Sequence, residues 1–265
     1  MYPRLTALVL FGLFSAAASA DDKQPDQAQP ADAKAGETVE AVQKKILELA
    51  PKLKSLTGKI TINFDGRSEE DWIKGQTKGT IEYMVQEGKT LYRMELKSKT
   101  TTVSSKSEST KDESVTIICD GRYVYNVGVE NGQKTAHKRR IDPVQSSIPS
   151  QEFFDVLNLA FVVKMLPDAE IDGQAVWAMQ SNPRTAEPNP TPKTLSFFRK
   201  DIPFMVKTVN YDLNDNVIQA TTISDVKINV SIKPERFAYT PDADTKVKDF
   251  TGEGAQTLVP IEAPE

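Results

Sequence analysis

The chain has 265 residues, of which 38% are apolar and 26% charged, with a formal net charge of −4, one Cys and one His. These figures exclude a multi-spanning helical membrane protein, which needs repeated apolar runs of about 20 residues. They exclude a disulfide scaffold and a zinc site built from Cys and His, and a sequence pI of about 5.3 argues against a nucleic-acid binder.

Residues 1–20 read as a secretory signal peptide. Arg4 provides a basic start, Leu5 to Phe14 is an apolar run broken only by Thr6 and Gly12, and Ala18-Ser19-Ala20 forms an A-x-A cleavage site just before Asp21. The run is too short for a membrane anchor. No Cys follows the site, so the mature chain carries no N-terminal lipid. Residues 21–36 hold no large apolar side chain and are expected to be a disordered leader. Residues 251–265, polar and carrying Pro260 and Pro264, are expected to be a frayed tail. One folded unit over residues 37–250 remains.

A helix is expected first, because Val39, Val42, Ile46, Leu49 and Leu53 step by three and four; Pro51 interrupts its last turn. The period then changes to two. Ile60, Ile62 and Phe64 alternate with polar residues, as do Ile81, Tyr83 and Val85, then Tyr92, Met94 and Leu96, then Val115, Ile117 and Cys119, then Tyr123, Tyr125 and Val127. This is the pattern of half-buried antiparallel strands. Glu87-Gly88, Asp120-Gly121 and Asn131-Gly132 suit hairpin turns. The Ser/Thr/Lys run between Lys97 and Glu113 reads either as a flexible loop or, preferably, as two polar strand ends meeting in a long hairpin.

A second helix is expected from about Ser150 to Leu166, bounded by Pro149 and Pro167. Leu159 to Val163 is apolar at every position, so this helix should be buried on more than one side. It is either a central core helix or a lid whose Phe153, Phe154, Leu157 and Phe161 sit in the mouth of a cavity. Further strands are expected at Gln174–Gln180, Thr194–Arg199, Phe204–Asp212, Val217–Asp225 and Lys227–Ile232. The Pro-rich stretch from Asn182 to Lys193 should be an irregular loop. Nine to eleven antiparallel strands with two helices make an α+β fold, mainly antiparallel β: a strongly curved, unclosed barrel with helices over its concave face.

Catalytic motifs are missing: there is no nucleophile elbow, phosphate loop, dinucleotide fingerprint or metalloprotease helix. His137, within Ala136-His137-Lys138-Arg139-Arg140, is expected on an exposed basic strand. Cys119 is expected to be a small buried apolar residue. Lys138-Arg139-Arg140 is either the wet face of an edge strand or a contact for an anionic headgroup. Asn229-Val230-Ser231 matches a glycosylation sequon on an expected strand.

Several stretches, in order, resemble the LolA-like superfamily of exported lipoprotein carriers and their lipid-binding relatives. These are Ile117 to Asn126, with its Asp-Gly turn and aromatic strand; Phe153 to Leu166; Asp172 to Trp177; Phe197 to Pro203 with Val206-Lys207; and Ile228 to Ile232 followed by Phe237 to Pro241. The resemblance covers about residues 40–250. It implies a half-barrel with a helical lid and acyl chains in an apolar interior, in a periplasmic, non-catalytic, monomeric carrier without cofactor. Its partners would be a lipid or acylated lipoprotein and membrane-associated donor and acceptor proteins. One departure stands out: where the family keeps a basic residue followed by Pro, this chain reads Val85-Gln86-Glu87-Gly88.

The expected lining is one parity of each strand: Ile81, Tyr83 and Val85; Tyr92, Met94 and Leu96; Ile117, Tyr123 and Tyr125; Trp177 and Met179. The lid adds Phe153, Phe154, Leu157 and Phe161. The alternative is an exported sensor or protein-interaction module of the same fold with a filled interior.

Overall fold

The computed structural model describes residues 37–67, 71–141, 148–184 and 193–252. The leader, the signal peptide, most of the Pro-rich loop and all but the first two residues of the tail lie outside the described residues.

Helix α1 (Val39–Leu49) opens the fold, capped by the Thr38 hydroxyl, which accepts from the Ala41 N–H. Pro51 converts its end into a 3-10 turn at Ala50–Lys52. Four long strands follow: β1 (Ser55–Arg67), β2 (Asp71–Gln86), β3 (Lys89–Ser104) and β4 (Glu108–Cys119). The Ser/Thr/Lys run is the expected long hairpin, paired from Tyr92↔Cys119 out to Val103↔Glu108. Then come β5 (Tyr123–Glu130), β6 (Gln133–Arg140), helix α2 (Gln151–Ala160), β7 (Phe161–Met165), β8 (Ala169–Ile171), β9 (Gln174–Pro183), β10 (Thr194–Arg199), β11 (Met205–Tyr211), β12 (Val217–Ile228) and β13 (Lys246–Asp249).

Among the described residues thirteen strands form one unclosed sheet in the order β13-β6-β5-β4-β3-β2-β1-β12-β11-β10-β9-β7, with β8 paired to β9. Every pairing is antiparallel except β13 on β6. The turn chemistry explains the connectivity. Glu87 and Gly88 (φ 52 and 73), Asn131 and Gly132 (φ 50 and 78), and Asp172 and Gly173 (φ 51 and 72) all adopt the left-handed conformations that two-residue hairpins require.

The second helix is shorter than its sequence suggests. It is capped by Ser150 and ends at Ala160, and Phe161 is already extended (φ −130, ψ 152). The apolar run is where the period changes from 3.6 to two. Phe161, Val163 and Met165 alternate as strand residues paired to β9, while Leu159 and Val162 point outward, 67% and 52% exposed. The expectation of a helix apolar around its whole circumference is therefore corrected. Strands β8 and β13 were not anticipated: β8 is only the three residues Ala169-Glu170-Ile171, and β13 has a single apolar residue, Val247. The expected strand over 227–232 breaks at Asn229 (φ 52), whose side chain accepts from the Lys54 N–H and donates to the Lys52 carbonyl.

Two apolar clusters form the core. The first joins Leu56, Ile60 and Ile62 of β1 to Ile81, Met94, Ile117, Ile223 and the β10–β11 turn residues Ile202 and Phe204. The second joins Val42 and Ile46 of α1, Phe153, Phe154 and Leu157 of α2, and Trp177, Met179, Phe198 and Met205 of the sheet. Between the helices, Gln43 and Asn158 exchange two side-chain hydrogen bonds of 3.0 Å, which satisfies the amide of Gln43 although it is only 6% exposed.

Candidate apolar face and its polar edge

Cross-strand partners point to the same side of a sheet, so the register traces a continuous face. One row runs Leu56↔Tyr83↔Tyr92↔Cys119↔Val124↔Arg139, and the next runs Ile81↔Met94↔Ile117↔Asn126↔His137↔Lys248. The face continues the other way through Ile62↔Thr221↔Thr208↔Ser196↔Met179. Six residues expected in the lining share this face across β2 to β4: Ile81, Tyr83, Tyr92, Met94, Leu96 and Ile117. All are buried except the half-buried Tyr92. Val85 shares their parity but is 38% exposed, beside the Glu87-Gly88 turn.

The other expected residues divide. Trp177 and Met179 lie on the same face and pack with Phe153, Phe154, Leu157 and Phe161 in the helix cluster. Phe161 does so from strand β7 rather than from the helix. Tyr123 and Tyr125 are corrected: Tyr125 pairs with Ile118 and Val124 with Cys119, so both tyrosines face the opposite side. Three consecutive bulky apolar residues, Tyr123-Val124-Tyr125, leave both parities open to a reader of the sequence. Only the register to β4 decides between them.

Two weak acids of the apolar face, Tyr83 and Cys119, are held neutral. Burial pushes the Tyr83 phenol up to about 12 and the Cys119 thiol up to about 11. A thiol so far above neutrality is no nucleophile, and its Sγ lies 3.5 Å from the Thr90 carbonyl. His137 is half-buried at the far edge of this face, with Nε2 2.7 Å from Glu130 Oε1 and its ring 5.5 Å from that of Phe250.

The opposite face of β2 to β6 is crossed by the chain after β12. Arg236 pairs with Glu82 at 3.0 Å and Glu95 at 3.3 Å, Phe237 is buried, and Tyr239 packs on Tyr125 at 5.0 Å. Asp242 pairs with Lys134, and β13 then docks on β6 through Lys138–Asp249 (3.0 Å) and Lys248–Glu130 (2.5 Å). Hydrogen bonds from the Thr251 hydroxyl and N–H, and then from Lys138, lower the Asp249 carboxyl to about 2. Lys248, and then His137, lowers that of Glu130. A depressed carboxylate stabilises the docked state above its unfolded value and loses that contribution as pH falls through its folded value. Amide-exchange protection of Lys246–Asp249 is therefore expected to hold above about pH 4 and to fall between there and pH 2, ahead of the β1–β4 ladder. Protection of β13 lost only together with that ladder would contradict this.

A broad open trough of about 1050 Å³ lies over the distal parts of β1 to β4. Its lining includes Lys74, Lys78, Lys97 and Lys99, and, as apolar members, Phe64 with Val217 and Ile218 of β12. No sequence motif pointed to it, because its residues meet only through the register.

No family profile matches the chain, and no curated protein matches it in sequence. Its structure is similar to LolA superfamily proteins and to MucB. MucB aligns over 76% of this chain and 62% of its own, at 10% identity and a TM-score of 0.48. This chain therefore spans about three-fifths of the length of MucB. An uncharacterized conserved protein from Thermus thermophilus aligns over 78% of this chain and 99% of its own, at 11% identity and a TM-score of 0.44. A LolA superfamily protein from Nitrosomonas europaea aligns over 77% and 99%, at 11% identity and a TM-score of 0.25.

Proposed function

We propose that this chain is an exported, periplasmic, non-catalytic binding protein. It holds the acyl chains of a lipid or lipoprotein against the apolar face, with α1 and α2 as its cover on the concave side. The observation that supports this reading is the continuity of the face. Apolar rows run across β1 to β5, Ile223 and Val206 extend the cluster onto β12 and β11 beside the polar Thr221, Thr208 and Ser196, and two short helices pack on the β9–β11 end as a cluster of their own. Burying an acyl chain there yields roughly 25 cal/mol per Å² of apolar area. A single chain binds reversibly, which suits delivery between membrane-associated donor and acceptor proteins by a monomeric carrier.

A second reading, an exported interaction module whose interior stays filled, is favoured by a different observation. Ile81, Met94 and Ile117 are 2%, 2% and 3% exposed and already packed against one another. Native mass spectrometry of protein purified from the periplasm separates the two. The carrier reading expects a co-purifying lipid or acylated peptide. It also expects Trp177 emission to shift on adding a fatty-acid probe, because Trp177 is buried in the helix cluster with its indole N–H on Glu37 at 3.0 Å. Lipid-free protein in repeated preparations, with no shift, would leave the interaction module.

A further inference from the structure

The two apolar rows both end on polar residues at the β5–β6 edge, at Arg139 and at Asn126–His137–Lys248. There the charges do not balance. Lys248 and His137 share Glu130. Arg139 is half-buried, and among the described residues its side chain has no hydrogen-bond or ion-pair partner; its Nε is fully buried. Asn126 Oδ1, on the same face one pair along, is likewise buried and unpartnered. Buried polar atoms without partners are rare, and an unpaired guanidinium N–H is costly. Arg139 and Arg140 are neighbours in sequence, yet Arg140 is exposed and pairs with Tyr123 on the other face. Of these two arginines, only Arg139 borders the apolar rows.

We propose that Arg139 and Asn126 form a headgroup site for an anionic amphiphile, its tail lying along the row toward Tyr92 and Tyr83. This rests on the acyl-binding reading above and adds to it the chemistry of the ligand's polar end. A guanidinium takes a phosphate or carboxylate through parallel N–H donors. Asn126 Oδ1 accepts from a hydroxyl of the same headgroup. The row from β6 to β2 spans four strand spacings, about 19 Å; Val124, Cys119 and Tyr83 along it are 2%, 0% and 3% exposed, so the tail enters by displacing what packs over them.

The test is calorimetric titration of the purified protein with three probes below their micelle-forming concentrations: dodecyl phosphate, neutral monolauroylglycerol and inorganic phosphate. Dodecyl phosphate is expected to bind tightest. Arg139→Gln should weaken it about tenfold, the scale of a charged hydrogen bond, and leave monolauroylglycerol unchanged. Arg139→Lys should retain part of the preference and guards against a folding defect in Arg139→Gln. Arg140→Gln should behave as wild type. Equal binding of the phosphate and neutral amphiphiles, or an Arg139→Gln variant that keeps the preference, overturns the headgroup site while acyl binding stands. Inorganic phosphate binding as tightly as dodecyl phosphate overturns the amphiphile and leaves a free-anion site. Failure of both amphiphiles to bind the wild type removes the acyl-binding reading itself.

Discussion

Gly79→Val is expected to destabilise the fold severely. Gly79 pairs with Ile60 of β1 and with Leu96 of β3, in the middle of the two longest ladders. A Cβ at this position would lie 1.9 Å from the Glu95 carbonyl oxygen and 2.9 Å from Leu96 Cδ2. The first of these is backbone in a paired strand, so no rotamer change relieves it. Moving β3 away would break pairings with β2 and β4 together. The cost should exceed about 4 kcal/mol, beyond the ordinary range for point substitutions and a large part of a typical domain stability of about 5–15 kcal/mol. Urea denaturation followed by circular dichroism measures it. Gly66→Ala is the matched control, because its Cβ would meet only the Ile73 carbonyl oxygen at 4.0 Å. A Gly79→Val protein that unfolds cooperatively at the wild-type midpoint would show that the close approach of β2 and β3 is wrong.

The second large effect belongs to the helix cover. Phe154 is 1% exposed, packs on Phe153 with ring centroids 5.3 Å apart and reaches Phe198 of β10 at 6.4 Å. Phe154→Ala should cost about 3–5 kcal/mol through lost burial and the cavity left behind. Leu159→Ser, five residues on in the same helix, should change stability by less than about 0.5 kcal/mol, because Leu159 is 67% exposed. Comparable losses for the two would restore a helix buried on all sides. A small loss at Phe154 would mean that the cover is loosely seated.

The contrast between Phe154 and Leu159 also marks how far the sequence could be read. Both are large apolar residues of one helix, and hydropathy treats them alike. Leu157 is buried and Leu159 is not, because the helix turns Leu159 away from the sheet and then stops. Polar hairpin strands were legible because Thr favours strands, and Cys119 was legible as a buried residue from its parity. The strand β13 was not. Its sequence Lys-Val-Lys-Asp has a single apolar residue, and ion pairs with residues more than one hundred positions away hold it in place.

By itself, the sequence determined α1, the strands of the first half and most of the hairpin turns. Alternation of period two marked the strands β1 to β5, the three- and four-residue steps marked α1, and Asn-Gly, Asp-Gly and Glu-Gly pairs marked the hairpins. These signals are local, since they follow from backbone geometry over two to four residues. Only the tertiary structure decided which parity of β5 joins the apolar face, where the second helix ends, and which member of Lys138-Arg139-Arg140 borders the apolar rows. The reason is physical. A strand turns successive side chains to opposite sides, so a one-residue change of register exchanges the two faces. That register is set by pairing with a neighbouring strand rather than by the strand's own residues.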